Sequence, residues 1–398
     1  MNKKISLGAA IAFMAVVASI TFVVTMLFSQ GVFNKMISNV SQREDMYKKV
    51  QEIDKLVRNN YLFEIDEDEL KNGLASGIIA GLDDPYAEYL DKEAYERDLL
   101  QKKGELVGIG VQVSVDPSSG YMVIASVYAG GPAEETGLKQ DDVIVKIDDK
   151  DVAEVGANEA VNLMQGEAGT KVKVTIRRDG VDTDYEIQRK QVEIPSVESW
   201  MIDQNCYIKI EDFNANTPAQ FKQAVDNAVQ NGAAGLIFDL RDNTGGTIDS
   251  VTEMLDYLLP SGTIATETNS KGEESVLATS DDSQIELPMI TVTNAKTASA
   301  SELFVAALKD YGKAQSVGVT TYGKGVMQTT YALSDGSAIR ITTGYFNPPK
   351  SENFNGIGIA PDYEVELTAE QEQALDSSDP STDPQLAKAI EVINSLEN

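Results

Sequence analysis

After Lys3 and Lys4 the chain runs from Ile5 to Gln30 without a charge. At about 1.5 Å per residue such a run is enough to cross a hydrocarbon core about 30 Å thick. It exceeds the roughly 7–15-residue apolar core of a cleaved signal peptide. The pattern predicts a transmembrane anchor, with Lys3 and Lys4 on the inner side and the rest of the chain outside the cell. From about residue 42 the pattern changes: Val50, Ile53, Leu56 and Val57, then Ala75, Ile78, Ile79 and Leu82, recur at helical spacing among charges. The second of these amphipathic helices is broken by Asp83-Asp84-Pro85, because proline disfavours a helical residue before it. From about Gly104 to Gln191, short β-rich runs lie between Gly, Pro and Asp turns (Gly108 to Val115, Tyr121 to Val127, Val143 to Ile147, Lys171 to Arg177), with a helix at Asn158 to Met164. From about Tyr207 to Glu366, apolar strands at Gly235 to Asp239 and Pro288 to Thr293 alternate with helical patterns at Thr217 to Val229 and Ser301 to Lys309, which predicts an α/β core. The tail is rich in Asp, Ser and Pro before a last helical pattern at Pro384 to Leu396. The chain therefore divides into an anchor (1–35), a helical region (36–100), a compact mixed domain (101–191), an α/β core (192–370) and an acidic linker with a terminal helix (371–398).

Composition narrows the chemistry. Among 398 residues, 63 Asp and Glu oppose 33 Lys and Arg, a formal net charge of −30 that repels phosphate backbones and disfavours a nucleic-acid partner. There is no histidine, which excludes a Ser-His-Asp or Cys-His site and a His-ligated zinc. The single cysteine, Cys206, can form neither an internal disulfide nor a multi-cysteine metal site, and beside Tyr207 and Ile208 it reads as an apolar filler. The acidic segment Asp66 to Glu69 lacks the spaced ligands and central glycine of a calcium loop. No metal and no cofactor are expected.

Candidate chemistry concentrates between Asp239 and Gln328. In Thr297-Ala298-Ser299-Ala300-Ser301-Glu302, small residues precede a helical pattern, so a hydroxyl there meets the free N–H groups and positive dipole end of a helix. That suits an acyl-transfer nucleophile, although a plain N-cap at Ser299 or Ser301 explains this segment alone more simply. Tyr322-Gly323-Lys324-Gly325 presents one lysine between glycines, and a surface turn is its bland alternative. The strand Leu236 to Asp239 runs into Leu240-Arg241-Asp242-Asn243-Thr244-Gly245-Gly246, a turn whose amides either face a cleft or merely end a strand.

Together these segments resemble the carboxyl-terminal processing peptidases, or tail-specific proteases, which are PDZ-containing serine proteases with a Ser-Lys dyad. Their Ser-Ala-Ser-Ala-Ser-Glu segment appears here with Thr297 for the first serine, their Phe-Gly-Lys-Gly as Tyr322 to Gly325, and their Asp-Leu-Arg-x-Asn-Pro-Gly-Gly as Asp239 to Gly246 with Thr244 for proline. The resemblance implies Ser299 as nucleophile, Lys324 as base, Gln328 as the residue orienting the lysine, and the amides of Gly245 and Ala300 as oxyanion hole. It leaves Glu302 and Asp310, acidic in relatives too, outside the catalytic set. It also implies a multidomain α+β protein with a PDZ domain placed before a crotonase-like α/β protease core, and a helical tail. Gly108-Ile109-Gly110-Val111 is similar to the PDZ loop that grips a peptide's terminal carboxylate while the peptide adds as a strand. The implied partners are proteins with apolar C-terminal tails, the membrane through the N-terminal helix, and a second copy in a homodimer. The catalytic part would be extracytoplasmic. Gln165-Gly166 stands where many relatives have Arg-Gly, whose arginine couples the PDZ domain to the active site, so peptide-controlled activation does not carry over with the resemblance. Two other readings are a catalytically inactive PDZ adaptor and, on the two-glycine turn alone, a crotonase-like acyl-thioester enzyme, which strong negative charge and an anchor fit poorly.

A lysine base needs a special setting. Free lysine, with a pKa of about 10.4, is neutral in about one molecule in 2,500 at pH 7, so Lys324 serves only if burial lowers that value.

Overall fold

A computed structural model describes residues 6–36, 40–373, 375 and 379–396. It divides into two compact units, Met1–Leu74 and Ala75–Asn398. The first holds the helices Leu7–Met36 and Val40–Asn60 and the start of the helix Glu67–Ala80. Arg58 ties two of these together, donating to Asp54 at 2.7 Å and to Glu67 at 2.9 Å. The expected anchor begins at Ile5, outside the described residues. Within Leu7–Met36, the side chains from Ala12 to Met26 are exposed. Among the described residues no helix is long and apolar enough to cross a membrane, so the fold itself does not supply the expected transmembrane helix.

In the second unit, the antiparallel strands Val111–Val115, Met122–Val127, Val143–Ile147, Lys171–Arg178 and Val181–Gln188 follow one another in a six-stranded sheet, whose sixth strand, Lys150–Asp151, pairs with Val143–Ile147. Their alternate residues Ile124, Ile144, Val174 and Ile176 are buried with Ala160 and Met164 of the helix Ala157–Met164, as the period-2 and period-3.6 patterns require. Val111–Val115 is an edge strand. A two-stranded ribbon, Glu105–Gly108 against Lys190–Glu193, joins this domain to the rest.

The α/β core is a six-stranded sheet in the order Val197–Ile202, Asn205–Ile210, Gly235–Asp239, Met289–Thr293, Ala314–Gly318, Tyr363–Glu364. Only the first pair is antiparallel. Every residue of Gly235–Asp239 and Met289–Thr293 is buried, because parallel strands are covered on both faces and so read as unbroken apolar runs. The helices Thr217–Gln230, Ile248–Leu258 and Ala300–Asp310 cover one face. The helix Pro384–Leu396 covers the other, with Leu386, Ala389, Val392 and Ile393 packed on Ile237, Ile290, Val292 and Val317. A second, antiparallel sheet is built on the long strand Ala338–Asn347. It receives Glu88–Leu90, Val326–Ala332 and Gly262–Asn269, the last paired in turn with Glu274–Ser280.

Candidate active site

The helix Ala300–Asp310 follows a strand-to-helix turn on which Ser299 has φ 59° and ψ −119°. Positive φ in a non-glycine residue costs about 1–3 kcal/mol and persists only where its surroundings impose it. Here they do. Thr297 donates its hydroxyl to the Leu240 carbonyl at 2.8 Å, the Ala298 amide bonds the Asn243 carbonyl at 3.1 Å, and Ser301 Oγ bonds the same carbonyl at 3.1 Å. Asn243, fully buried, in turn donates Nδ2 to the Ile210 carbonyl at 2.8 Å. The Ser299 turn is thereby fixed to the ends of two neighbouring strands.

Glu302 completes the constraint. Its buried carboxylate accepts the Ser299 amide at 2.9 Å, and also Thr321 Oγ1 at 2.5 Å, the Gly323 amide at 2.7 Å and the Lys324 amide at 2.8 Å. One side chain thus joins the serine turn to the lysine loop. Gly323 lies at φ 90° and a Cβ there would meet the Gly358 amide nitrogen at 2.8 Å, while a Cβ at Gly325 would meet Asn353 Oδ1 at 2.3 Å. The glycines flanking Lys324 are required by close packing, so the bland reading of a surface turn is set aside.

A cavity of about 470 Å³ opens beside these segments, and Ser299, Lys324, Gln328 and Gly246 all line it. Lys324 is half-buried, with Nζ 4.7 Å from the centre of the Tyr86 ring. Burial lowers its pKa, and the positive charge of Arg340 lowers it further, against the opposing pull of Glu88 and Asp84. Tyr86 is pushed up by burial and by its bond with Tyr322. Gln328 shares the cavity, but its amide donates to the Val326 carbonyl and to Thr342 Oγ1, each at 3.4 Å. Among the described residues no hydrogen bond joins it to Lys324, so the orienting contact implied by resemblance is absent from this state.

One amide of the expected oxyanion pair is engaged within the turn. The Gly245 amide donates to Asn243 Oδ1 at 2.9 Å, and its Cα is wedged so that a Cβ would meet the Ala298 carbonyl at 2.9 Å and the Ala300 nitrogen at 3.0 Å. Its donor is already used. Gly246, by contrast, lines the cavity and forms a parallel bridge with Phe213. Ala300 remains next to Ser299 at the helix N-terminus.

Gly108, Ile109, Gly110 and Val111 lie apart from this cavity, between the ribbon and the edge strand of the PDZ-like six-stranded sheet. Gly110 has φ 77°, a conformation that favours glycine. The carbonyls of Ile109 and Gly110 accept the amides of Ala133 at 2.8 Å and Tyr128 at 3.0 Å. The unpaired edge of Val111–Val115 has the form needed to receive an added strand. Cys206 is buried and its thiol is pushed up to about 11 by burial, the setting of an apolar filler rather than of a thiolate nucleophile. Sequence reading took Asn243 only as part of the Asp239-to-Gly246 turn, did not single out Arg340 or Tyr86, and set Glu302 aside.

Comparison with known proteins gives three matches to family descriptions: peptidase family S41 over residues 204–365, a PDZ domain over 107–188, and the activating protease CtpB N-terminal domain over 7–94. The chain is 32% identical over 332 residues to the carboxy-terminal processing protease CtpA of Bacillus subtilis (strain 168), covering 83% of this chain and 71% of that one. It is 31% identical over 337 residues to a probable CtpA-like serine protease of Staphylococcus aureus (strain COL), covering 84% and 68%. A solved putative S41 protease from Bacteroides fragilis NCTC 9343 shares the fold, with a TM-score of 0.55 at 16% identity over 85% of this chain and 93% of that one.

Proposed function

The chain belongs to peptidase family S41, among the carboxy-terminal processing serine proteases with a PDZ domain, and from that premise we propose that it cleaves polypeptides with Ser299 as nucleophile and Lys324 as general base. Ser299 Oγ attacks the scissile carbonyl while Lys324 Nζ takes its proton and later returns it to the leaving amine. Amides of Gly246 and Ala300 hold the oxyanion, and Gln328 orients the lysine once substrate is bound. One observation carries this reading: the Glu302 carboxylate holds Ser299 and Lys324 by their backbones at the rim of one cavity. A half-buried lysine with lowered pKa is what a lysine base requires, and it counts against an inactive adaptor.

The substrates proposed are extracytoplasmic proteins with apolar C-terminal tails, held at Gly108 to Val111 as an added strand. Intact-mass analysis of an unfolded reporter with such a tail tests this. The wild type is expected to cleave it, and Ser299→Ala and Lys324→Ala are expected to leave it whole; cleavage by either variant would sink the dyad. The charge-free run from Ile5 to Gln30 supports single-pass anchoring, tested by whether the full chain stays with membranes in alkaline carbonate. Dimerisation through the N-terminal helices draws support from their exposed apolar residues Ile53 and Leu56, and sedimentation of the detergent-solubilised protein reads it directly.

A further inference from the structure

The cavity beside Ser299 is lined by six chargeable side chains besides tyrosine: Glu88, Asp98, Lys102, Asp212, Lys324 and Arg340. Most are matched. Arg340 is ion-paired with both Glu88 and Asp98, and Lys102 lies 2.9 Å from Asp98. With Lys324 neutral, as a general base must be, Lys102 and Arg340 balance two of the three carboxylates. The one left over is Asp212, which has no ion-pair partner among the described residues.

Asp212 is tied through its neighbour to the Gly245–Gly246 turn. It lies just past the strand Asn205–Ile210, and its neighbour Phe213 bridges to the glycine pair. The Phe213 amide donates to the Gly245 carbonyl at 3.1 Å, and the Phe213 carbonyl accepts the Thr247 amide at 2.7 Å. Its own Oδ1 accepts the Phe213 amide at 2.8 Å. Burial pushes the carboxyl up, and bonds from the Phe213 amide and the Asn214 side chain only partly oppose that. A half-buried carboxylate without a counter-ion, opening into the cleft that would receive a polypeptide, is an unmatched electrostatic demand.

We propose that Asp212 forms a specificity subsite for a cationic side chain, lysine or arginine, of the polypeptide substrate. The inference rests on reading this cavity as the proteolytic cleft. An ammonium or guanidinium entering beside Asp212 restores the balance that Lys102 and Arg340 leave incomplete, and the surrounding low dielectric strengthens the pair relative to water.

The test uses the full-length Ser299→Ala protein in detergent and fluorescent peptides whose C-termini are amidated, so that capture of a terminal carboxylate does not contribute. One lysine is walked through successive positions and compared with norleucine at each. At one position lysine should bind about tenfold more tightly, equivalent to about 1.4 kcal/mol. Adding Asp212→Asn should abolish that ratio, and Asp212→Glu should retain part of it. The ratio should rise with pH as Asp212 ionises. Any pH dependence left in the Asn variant belongs to Glu88, Asp98, Lys102, Tyr86, Lys324 or Arg340, which remain. A lysine preference at no position, or one that survives Asp212→Asn, overturns the subsite. Wild-type cleavage of the norleucine peptide, lost in Ser299→Ala, reports separately on the proteolytic reading, so either conclusion can fail without the other.

Discussion

Glu302 shows how much a single side chain can determine. Four donors converge on its buried carboxylate from both catalytic segments, so Glu302→Gln turns an acceptor-only group into one that presents an N–H₂ to some of them. Because misplacement of reacting groups by about 1 Å can cost about 100-fold in rate, kcat should fall about 100-fold with little change in KM. Stability should drop by about 2–3 kcal/mol, as charge-assisted hydrogen bonds are lost; steady-state kinetics with a thermal melt would expose a kcat that did not move. Arg340 acts through charge instead. Its guanidinium disfavours the ammonium form of Lys324, and the base works only when neutral, so activity rises with pH through the lysine's lowered pKa. Arg340→Gln removes that positive charge and frees Glu88, which with Asp84 favours protonation. The acid limb of kcat/KM against pH should therefore move to higher pH, and Arg340→Lys should largely restore it; an unmoved limb would remove Arg340 from the account. Ser299 and Lys324 were reached in the sequence through a family resemblance carried by their runs of small residues and glycines, and the fold brings both to one cavity. Glu302 was not reached, because a carboxylate at a helix start is ordinarily explained by capping and the helix dipole, and its bonds to residues 321–324 are a property of the closed fold.

At the scale of elements, legibility followed the range of the contacts. The helices at Thr217–Gln230 and Ala300–Asp310 and the strand Met289–Thr293 lie within a residue or so of their apolar patterns, since period and burial are local information. The strand Glu88–Leu90 escaped: it has three residues and exists by pairing with Ala338–Arg340. No local pattern announces a partner some 250 positions away, although that pairing brings Tyr86 and Glu88 to the lysine. Close backbone approach was equally hidden. Gly246 has φ 149°, and a Cβ there would lie 2.3 Å from the Phe213 carbonyl oxygen, so Gly246→Ala should break the bridge, cost upwards of about 2 kcal/mol and abolish cleavage. Circular dichroism melts beside activity would check both, and an active, equally stable variant would contradict the close approach. In the PDZ domain, Arg189 lies beside Gly166, next to the Gln165 that departs from relatives. Its buried guanidinium donates to the Leu163 carbonyl at 2.7 Å, Met164 at 3.2 Å, Thr170 Oγ1 at 2.9 Å and Lys171 at 3.1 Å. It therefore caps the end of the helix Ala157–Met164 from the chain leading into the ribbon. Arg189→Met should destabilise this domain by about 3 kcal/mol and weaken tail-peptide binding, which calorimetry would read.

For the whole molecule, the far face of the core sheet has to be closed by the last stretch of the chain. Ile237, Ile290, Val292 and Val317 would face water were it not for the helix Pro384–Leu396, and an apolar face of that kind drives association. Beside this apolar packing, buried charge ties the start of the helix to the sheet. Arg241, at the end of the strand Gly235–Asp239, pairs with Asp239 and lies 2.7 Å from Asp383, while its Nη1 donates to Gln385 Oε1 at 3.2 Å. Asp383 has a second function, accepting the amides of Gln385 and Leu386 at 3.0 Å each and so capping the helix it introduces. Removing one partner of a buried pair leaves the other uncompensated at a cost of about 3–5 kcal/mol, and Asp239 still neutralises Arg241, so Asp383→Ala should sit near about 3 kcal/mol. Asp383→Asn keeps a capping oxygen but no charge, and since a lost cap is worth about 1 kcal/mol, it should fall between wild type and Ala. Denaturant unfolding of the three proteins separates the contributions: equal losses in Asn and Ala would assign the whole effect to the ion pair, and a harmless Ala would mean that apolar packing alone holds the helix. The two ends of this connection also bear on the site, because Arg241 and Asn243 lie on the same turn. Loosening the C-terminal helix should therefore lower activity before global unfolding begins, visible as a loss of cleavage at denaturant concentrations where the far-ultraviolet signal is still native.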